Sequence, residues 1–422
     1  MSDGFFQSRW VPRPGHVADE PGAGLPAGFR AGAVSAGLRP DGRADLGLLV
    51  CDSEEVVSAA RFTRSGVLAA PVLLCLQRTQ LDGIRAVVAN SGNANAATGR
   101  QGLDEAARCQ GAAAMAVGVP ADRVAVASTG VIGVALDGRA IVSALARLRG
   151  DLHQGGDEEF ATAIMTTDAF EKRAELTVTL PSGPVRLTAQ AKGAGMISPA
   201  FATMLCFVQT DAALEPETAE LLLGVCVKRS FDRVSVDGQL STNDTVILQC
   251  SGSSGVRVAP ESEDELRFGE ALDALLRMLA VMIIRDGEGS KRIGRVVVRG
   301  DEQDAVEHVA RAVANSPLVK TALHGADPNW GRIAQAAGAA LGRAGPVSSS
   351  LALDIAIEGI AVCAHGAAVE HDSAALQAAA AGLEIEYEVG LPVSGATHPA
   401  ETEVFFSDLS HEYVTINAEY TT

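Results

Sequence analysis

The sequence predicts a layered α/β protein with mixed or antiparallel sheets, and three observations carry that reading. First, residues 175–180 and 185–190 alternate apolar and polar at period two around Pro181-Ser182-Gly183-Pro184, the pattern of a β-hairpin. Second, residues 264–284 form a long apolar stripe at helical spacing. Third, strands and helices do not alternate strictly, as they would around a doubly wound parallel sheet. With 47% hydrophobic and 20% charged residues, the chain has the composition of a packed core.

The elements follow in order. Residues 1–27 are rich in Pro and Gly and read as a loose arm leading to the first strand. Residues 84–89 are a short apolar run broken by Ser91-Gly92-Asn93-Ala94-Asn95-Ala96, a strand ending in a loop of small polar residues. Residues 104–117 are Ala-rich good helix formers. Residues 124–127 read as a buried strand running into Ser128-Thr129-Gly130-Val131-Ile132-Gly133. Pro216 opens a helix to about Arg229, since proline suits the first helical turn. Residues 292–299 read as a strand, 302–314 as a helix, and 347–362 as further strands with a turn at Glu358-Gly359. No internal repeat or coiled coil is present.

Charge and cysteines narrow the function. The 422 residues carry a formal charge of −18, which gives no general basic field for phosphate binding and disfavours a nucleic-acid partner. No apolar run approaches the roughly 20 residues of a membrane-spanning helix. Met1-Ser2-Asp3-Gly4-Phe5 lacks the basic start and apolar run of a signal peptide, so a cytoplasmic enzyme is expected. Seven scattered cysteines, odd in number and mostly in apolar stretches, argue against a disulfide framework and for small buried hydrophobes. Cys-x-x-Cys pairs and His pairs at helical spacing are missing, so no metal is expected.

Four small-residue motifs stand out for chemistry: 91–96, 128–133, 191–205 and 285–291. In the third, Gly193 and Gly195 flank Ala194 and allow backbone N–H groups to approach an anion. The run is neither a P-loop nor a dinucleotide fingerprint. Ala202-Thr203 follows it. A threonine hydroxyl needs a nearby base to become a nucleophile. Cutting the peptide bond before Thr203 would free its α-amine, with an ordinary pKa of about 7.7–8.0, as that base. A threonine in an apolar stretch is ordinarily just packed, and spacing alone does not choose between these readings.

Taken jointly, the motifs resemble those of the glutamate N-acetyltransferase, or ornithine acetyltransferase, family of arginine biosynthesis. They are residues 89–96, 128–133, Met165-Thr166-Thr167-Asp168, Lys192-Gly193-Ala194-Gly195-Met196, Ala202-Thr203-Met204-Leu205, Ser241-Thr242-Asn243-Asp244-Thr245, Asp286-Gly287-Glu288-Gly289, 325–332 and 416–422. The resemblance runs from about Gly28 to Thr422. It implies a layered fold like that of the aminopeptidase-esterase N-terminal-nucleophile enzymes. It also implies self-cleavage between Ala202 and Thr203 into chains 1–202 and 203–422. Together these would form a nucleophile-type domain and a smaller C-terminal α/β domain, assembled as an α2β2 heterotetramer. Thr203 would carry an acetyl group from N2-acetyl-L-ornithine to L-glutamate. Thr129 and Gly130 would form the oxyanion hole. Thr166 or Thr167, Lys192, Thr203, Glu288, Asn417 and Thr422 would bind substrate, with Lys192 facing a carboxylate and Glu288 the ornithine ammonium. No cofactor is implied, although acetyl-CoA serves some members as a second donor.

The chain departs from the family at several motif neighbours. Ala200-Phe201 stands where Asn-Met is common, Ala169 where Thr is common, Gln239-Leu240 where Asp-Thr is usual, Ala97 where Cys is common, and Ser290-Lys291 where Ala-Thr-Lys is usual. These leave the nucleophile and the oxyanion pair intact but open the substrate question. A paralogue acting on another N-acyl amino acid and a related amidohydrolase or aminopeptidase stand as alternatives. Trp330 is read as packing, and Asp327-Pro328 as shaping a turn.

Overall fold

The computed structural model describes residues 4–198, 204–342, 350–393 and 399–419. Among these, three sheets are present. A six-stranded sheet runs in the order Val17–Asp19, Lys172–Leu180, Gly183–Lys192, Leu205–Thr210, Thr245–Cys250, Val57–Phe62. A four-stranded sheet runs Phe29–Val34, Leu46–Cys51, Ala86–Asn90, Val124–Ser128. A seven-stranded sheet runs Val234–Ser235, Ala400–Ser407, Ile293–Gly300, Glu384–Gly390, Asp354–Ile357, Ile360–Ala364, Ala367–Ala368. All three mix parallel and antiparallel pairs or are mainly antiparallel, as the hairpin and broken alternation predict.

Side-chain alternation explains the layering. Leu205, Phe207 and Ile247 from the six-stranded sheet meet Leu49, Val87, Ala89 and Ala125 from the four-stranded sheet in one shared core. The alternate residues Cys206, Val208, Val246 and Leu248 face away, against the helices Pro216–Arg229 and Glu263–Arg285. Likewise Leu48, Val88 and Val126 face the helices Gly99–Val117 and Gly138–Leu148. Because successive side chains on a strand point to opposite faces, a strand between two cores is apolar on both. The result is four layers, helix, sheet, sheet, helix. The helix Glu263–Arg285 packs against the six-stranded sheet and Phe405 at once, which is why its apolar stripe widens to twelve buried residues. The seven-stranded sheet builds its own core with the helices Gln303–Ala314 and Trp330–Leu341.

The hairpin strands run Lys172–Leu180 and Gly183–Lys192, and the proline-led helix runs Pro216–Arg229. Three expectations are corrected. The Pro- and Gly-rich arm is not loose over residues 4–27: Trp10, Val11 and Leu25 are buried, and Val17–Asp19 adds a strand to the six-stranded sheet. Its few large apolar residues, not its average composition, decide its fate. The Ala-rich helix starts at Gly99, five residues before the expected 104. The strands expected over 347–362 begin only at Asp354, with the turn at Glu358-Gly359 in place and 347–349 outside the described residues. Trp330 packs against the core of the seven-stranded sheet. All seven cysteines are buried and free. No described helix is long and apolar enough to cross a membrane.

Candidate active site

Strand ends from both central sheets meet at one cavity of about 250 Å³. Thr129, Gly130, Thr166, Thr167, Lys192, Glu288 and Asn417, spread over nearly 290 residues of sequence, all line it. Ala202, Thr203 and Thr422 lie outside the described residues.

Thr129 and Gly130 follow the strand Val124–Ser128. The Asn-rich motif before them acts as their frame. Thr129 N–H donates to Asn90 O (2.9 Å), and Ser128 Oγ donates to Asn90 Oδ1 (2.7 Å). Asn243 Nδ2 donates to both Ala94 O (2.7 Å) and Ser128 O (2.8 Å), locking the two loops together. Gly130 has φ 130°, and a Cβ there would lie 2.6 Å from Asn93 N. Only glycine fits that turn.

Lys192 ends the strand Gly183–Lys192 and is 2% exposed. Its ammonium donates to Thr129 Oγ1 (3.1 Å) and Thr166 Oγ1 (2.8 Å). Of the two threonines left open by sequence, Thr166 takes the lysine bond, while Thr167 only lines the cavity. Burial pushes the Lys192 ammonium below its ordinary range; Asp168 opposes that shift. Burial also pushes the Asp168 carboxyl up, but Lys172, Lys192 and its hydrogen bonds outweigh this and hold it well below the usual carboxylate range.

Glu288 follows the helix Glu263–Arg285. It is 9% exposed, not the solvated turn residue that Asp-Gly-Glu-Gly alone allows. Its N–H donates to Ala194 O (3.0 Å), and its carboxylate packs so close to Gly195 that a Cβ there would lie 2.6 Å from the carboxyl carbon. Asn417, on the helix His411–Glu419, donates through Nδ2 to Glu288 Oε2 (2.6 Å). That helix buries none of its described side chains. Polar ties hold it instead: Tyr413 Oη donates to Asp237 Oδ2 (3.3 Å), and Ser410 Oγ accepts from Tyr413 N–H (3.2 Å) at its start.

The glycine pair does aim N–H groups at anions, but the anions are internal. Gly193 N–H donates to Asp168 Oδ1 (2.6 Å), and Met196 and Ile197 N–H groups donate to Asp237 Oδ2 (2.7 Å) and Oδ1 (2.9 Å). Sequence reasoning therefore missed Asp168 and Asp237 as organisers, together with Lys172, Asp286, Asn243 and Tyr413. Asp168, Asn243 and Asp286 sit inside the quoted motifs, which was their signal. Asp237 and Tyr413 had none.

Met204 is the first described residue after residue 198. Its N–H donates to Asp244 Oδ1 (3.1 Å), and the strand Leu205–Thr210 follows. Asp244 is fully buried, and its Oδ1 accepts the Met204 N–H. Burial pushes this carboxyl well above its ordinary range, against smaller opposing effects from Met204 N–H, Ser241, Thr63 and Lys192. Chemically, the cavity offers the Thr129 hydroxyl beside the Gly130 backbone, one buried cation and one buried carboxylate. That set suits a small zwitterion carrying an acyl carbonyl. No described cluster of His, Cys, Asp or Glu is arranged to hold a metal ion.

Two solved structures are similar over part of the chain. Arginine biosynthesis bifunctional protein ArgJ from Bacillus halodurans is 32% identical with a TM-score of 0.46, covering 51% of this chain and 98% of its own. Ornithine acetyltransferase from Mycobacterium tuberculosis, solved with ornithine, is 35% identical with a TM-score of 0.40, covering 44% and 99%. The sequence comparisons reach further. Arginine biosynthesis bifunctional protein ArgJ from Nitratidesulfovibrio vulgaris is 42% identical over 398 residues, 94% of this chain and 98% of that protein. The protein of the same name from Thermosynechococcus vestitus is 41% identical over 409 residues, 94% and 96%. A sequence model of the ArgJ family matches residues 30–422. By that match and these relatives, the chain belongs to the ArgJ family.

Proposed function

We propose that this chain is an acetyltransferase of arginine biosynthesis that moves an acetyl group from N2-acetyl-L-ornithine to L-glutamate. The observation that carries this reading is the gathering of Thr129, Gly130, Thr166, Thr167, Lys192, Glu288 and Asn417 around one cavity, with Met204 N–H held on Asp244. Maturation comes first. The Thr203 hydroxyl attacks the Ala202 carbonyl and the peptide C–N bond breaks. Water then hydrolyses the resulting ester, leaving chains 1–202 and 203–422 with a free amine on Thr203. In turnover, that amine takes the hydroxyl proton as Thr203 Oγ attacks the acetyl carbonyl. The carbonyl oxygen becomes an oxyanion facing Thr129 and Gly130. The C–N bond breaks, the departing ornithine amine takes the proton, and an acetyl ester remains on Thr203. Glutamate's amine attacks that ester, loses a proton, and leaves as N-acetylglutamate while the hydroxyl is restored.

In this scheme Lys192 pairs with a substrate carboxylate, and Glu288 pairs with the ornithine ammonium in place of Asn417. Thr422 is assigned to substrate binding by the same family resemblance. No resident cofactor is needed; acetyl-CoA enters only as an alternative donor to glutamate. The two chains assemble as an α2β2 heterotetramer in the cytoplasm. On a denaturing gel the purified protein is expected to give two bands, one of them with Thr203 as its N-terminal residue by sequencing. Thr203→Ala is expected to stay uncut and to transfer no acetyl. An uncut Thr203→Ala protein that retained full transfer would remove Thr203 from the mechanism. Acetate release independent of glutamate would favour the hydrolase reading instead.

A further inference from the structure

The floor of the cavity contains more charge than substrate binding needs. Behind Lys192 lies a row of buried groups with alternating sign. Lys192 Nζ stands 3.9 Å from Asp168 Oδ2. Asp168 Oδ1 accepts from Lys172 Nζ at 2.8 Å, and Lys172 Nζ donates to Asp286 Oδ2 at 2.5 Å. The four side chains are at most 4% exposed. We infer that Asp286, Lys172 and Asp168 are positioning residues that hold Lys192 against Thr129 Oγ1, so that the Thr129 hydroxyl proton is directed into the cavity, an inference that rests on Thr129 acting as an oxyanion donor in acyl transfer.

The geometry leads there through hydroxyl valence. A threonine hydroxyl has one proton to donate and two acceptor positions. Lys192 has only protons to give, so its bond to Thr129 occupies an acceptor position and turns the Thr129 proton away from the lysine. No described acceptor takes that proton, and Thr129 lines the cavity. An ammonium on the hydroxyl oxygen also polarises the O–H bond and makes it the stronger donor. Two directions of the ammonium are taken by Thr129 and Thr166, and Asp168 acts on it as a charge 3.9 Å away, which leaves the third direction for a substrate carboxylate. Asp168 fixes the backbone on both sides, accepting from Thr166 N–H (2.9 Å) and Gly193 N–H (2.6 Å). Lys172 and Asp286 hold Asp168 in turn, and Asp286 also accepts from Ala169 N–H. The charged groups that face Lys192 are Asp168, Lys172, Asp244 and Glu288. Asp168 stands first among those keeping the ammonium charged, so its loss should also move the alkaline limb of the pH–rate profile to lower pH.

A double-mutant cycle tests this, because residues acting through one another are non-additive. Asp168→Asn, Thr129→Ala and the double variant are purified as full chains. The cut fraction is measured, and kcat and KM are normalised to it. Where a variant is cut only slowly, the half-time of self-cleavage serves as the readout. Asp168→Asn is expected to lower the rate about 10- to 100-fold in the Thr129 background with KM changed less than about 3-fold, and to lower it less than about 2-fold in the Thr129→Ala background. Asp286→Asn, at the far end of the row, repeats the cycle should Asp168→Asn fail to fold, with a smaller loss of about 3- to 10-fold that also vanishes without Thr129. An equal loss in both backgrounds, or a loss confined to KM, overturns the inference. If the parent protein releases acetate rather than transferring it to glutamate, the proposed transfer fails while the cycle is still read on hydrolysis. No acyl turnover of any kind overturns both.

Discussion

Two regions of this protein bury a lysine, and they stabilise it differently. Beneath the cavity, Lys172 touches two carboxylates, Asp168 and Asp286. At the junction with the seven-stranded sheet, Lys320 is just as deeply buried but touches backbone carbonyls, Ser407 O at 2.9 Å and Ser235 O at 3.3 Å, above the ring of Phe406. Asp237 and Asp408 act on it only as more distant charges. The outcomes differ accordingly. In the first region lysine contact holds Asp168 well below the usual range despite burial. In the second, burial pushes Lys320 down to about 7. Carbonyl dipoles satisfy the donors of an ammonium without supplying a counter-charge, so contact with an opposite charge works against depth in keeping a buried charge; it prevails at Asp168, while burial still pushes the Asp286 carboxyl up beside the same lysine.

Three substitutions press on this difference, taken from the largest expected effect. Lys172→Met leaves Asp168 and Asp286 buried without their cation, and should cost about 3–5 kcal/mol in denaturant unfolding. A cost under about 1 kcal/mol would break the comparison. Lys320→Met should change the slope of stability with pH. Between about 7 and the ordinary 10.5, the unfolded chain keeps the Lys320 proton that the folded chain releases. Folded stability therefore rises with pH across that window and is flat below it. The stability of the parent relative to Lys320→Met should increase by on the order of 2 kcal/mol from pH 7 to pH 9. A parallel pair of curves would show that Lys320 stays charged. Arg299→Ala provides the exposed contrast. Its guanidinium bridges Glu388 and Glu401 at 49% exposure, and its removal should shift stability by less than about 1 kcal/mol.

The same contrast shows what sequence makes legible. The hairpin and the helix Pro216–Arg229 are local, since alternation and a leading proline are enough to place them. The arm before the first sheet was misread because Trp10 and Val11 find their partners far along the chain, among them Phe405. At the site, motifs pointed to Thr129, Gly130, Lys192, Glu288 and Asn417, which the fold brings to one cavity. Some of their supports lay inside those motifs, but how the supports pair was not readable. Lys172 and Asp286 are 114 residues apart, and Asp237 and Tyr413 are 176 apart. No spacing rule links such pairs. Gly193 showed the need for an anion, but only the folded chain shows that Asp168 supplies it.

Acetylation of Thr203 itself tests the central claim most directly. The matured protein is mixed with N2-acetyl-L-ornithine without glutamate, quenched and digested, and the peptide beginning at Thr203 is weighed. The account predicts an acetyl increment on that peptide, ornithine released in equal amount, and loss of the increment to N-acetylglutamate when glutamate is added. An unmodified Thr203 peptide while transfer proceeds at full rate would contradict it.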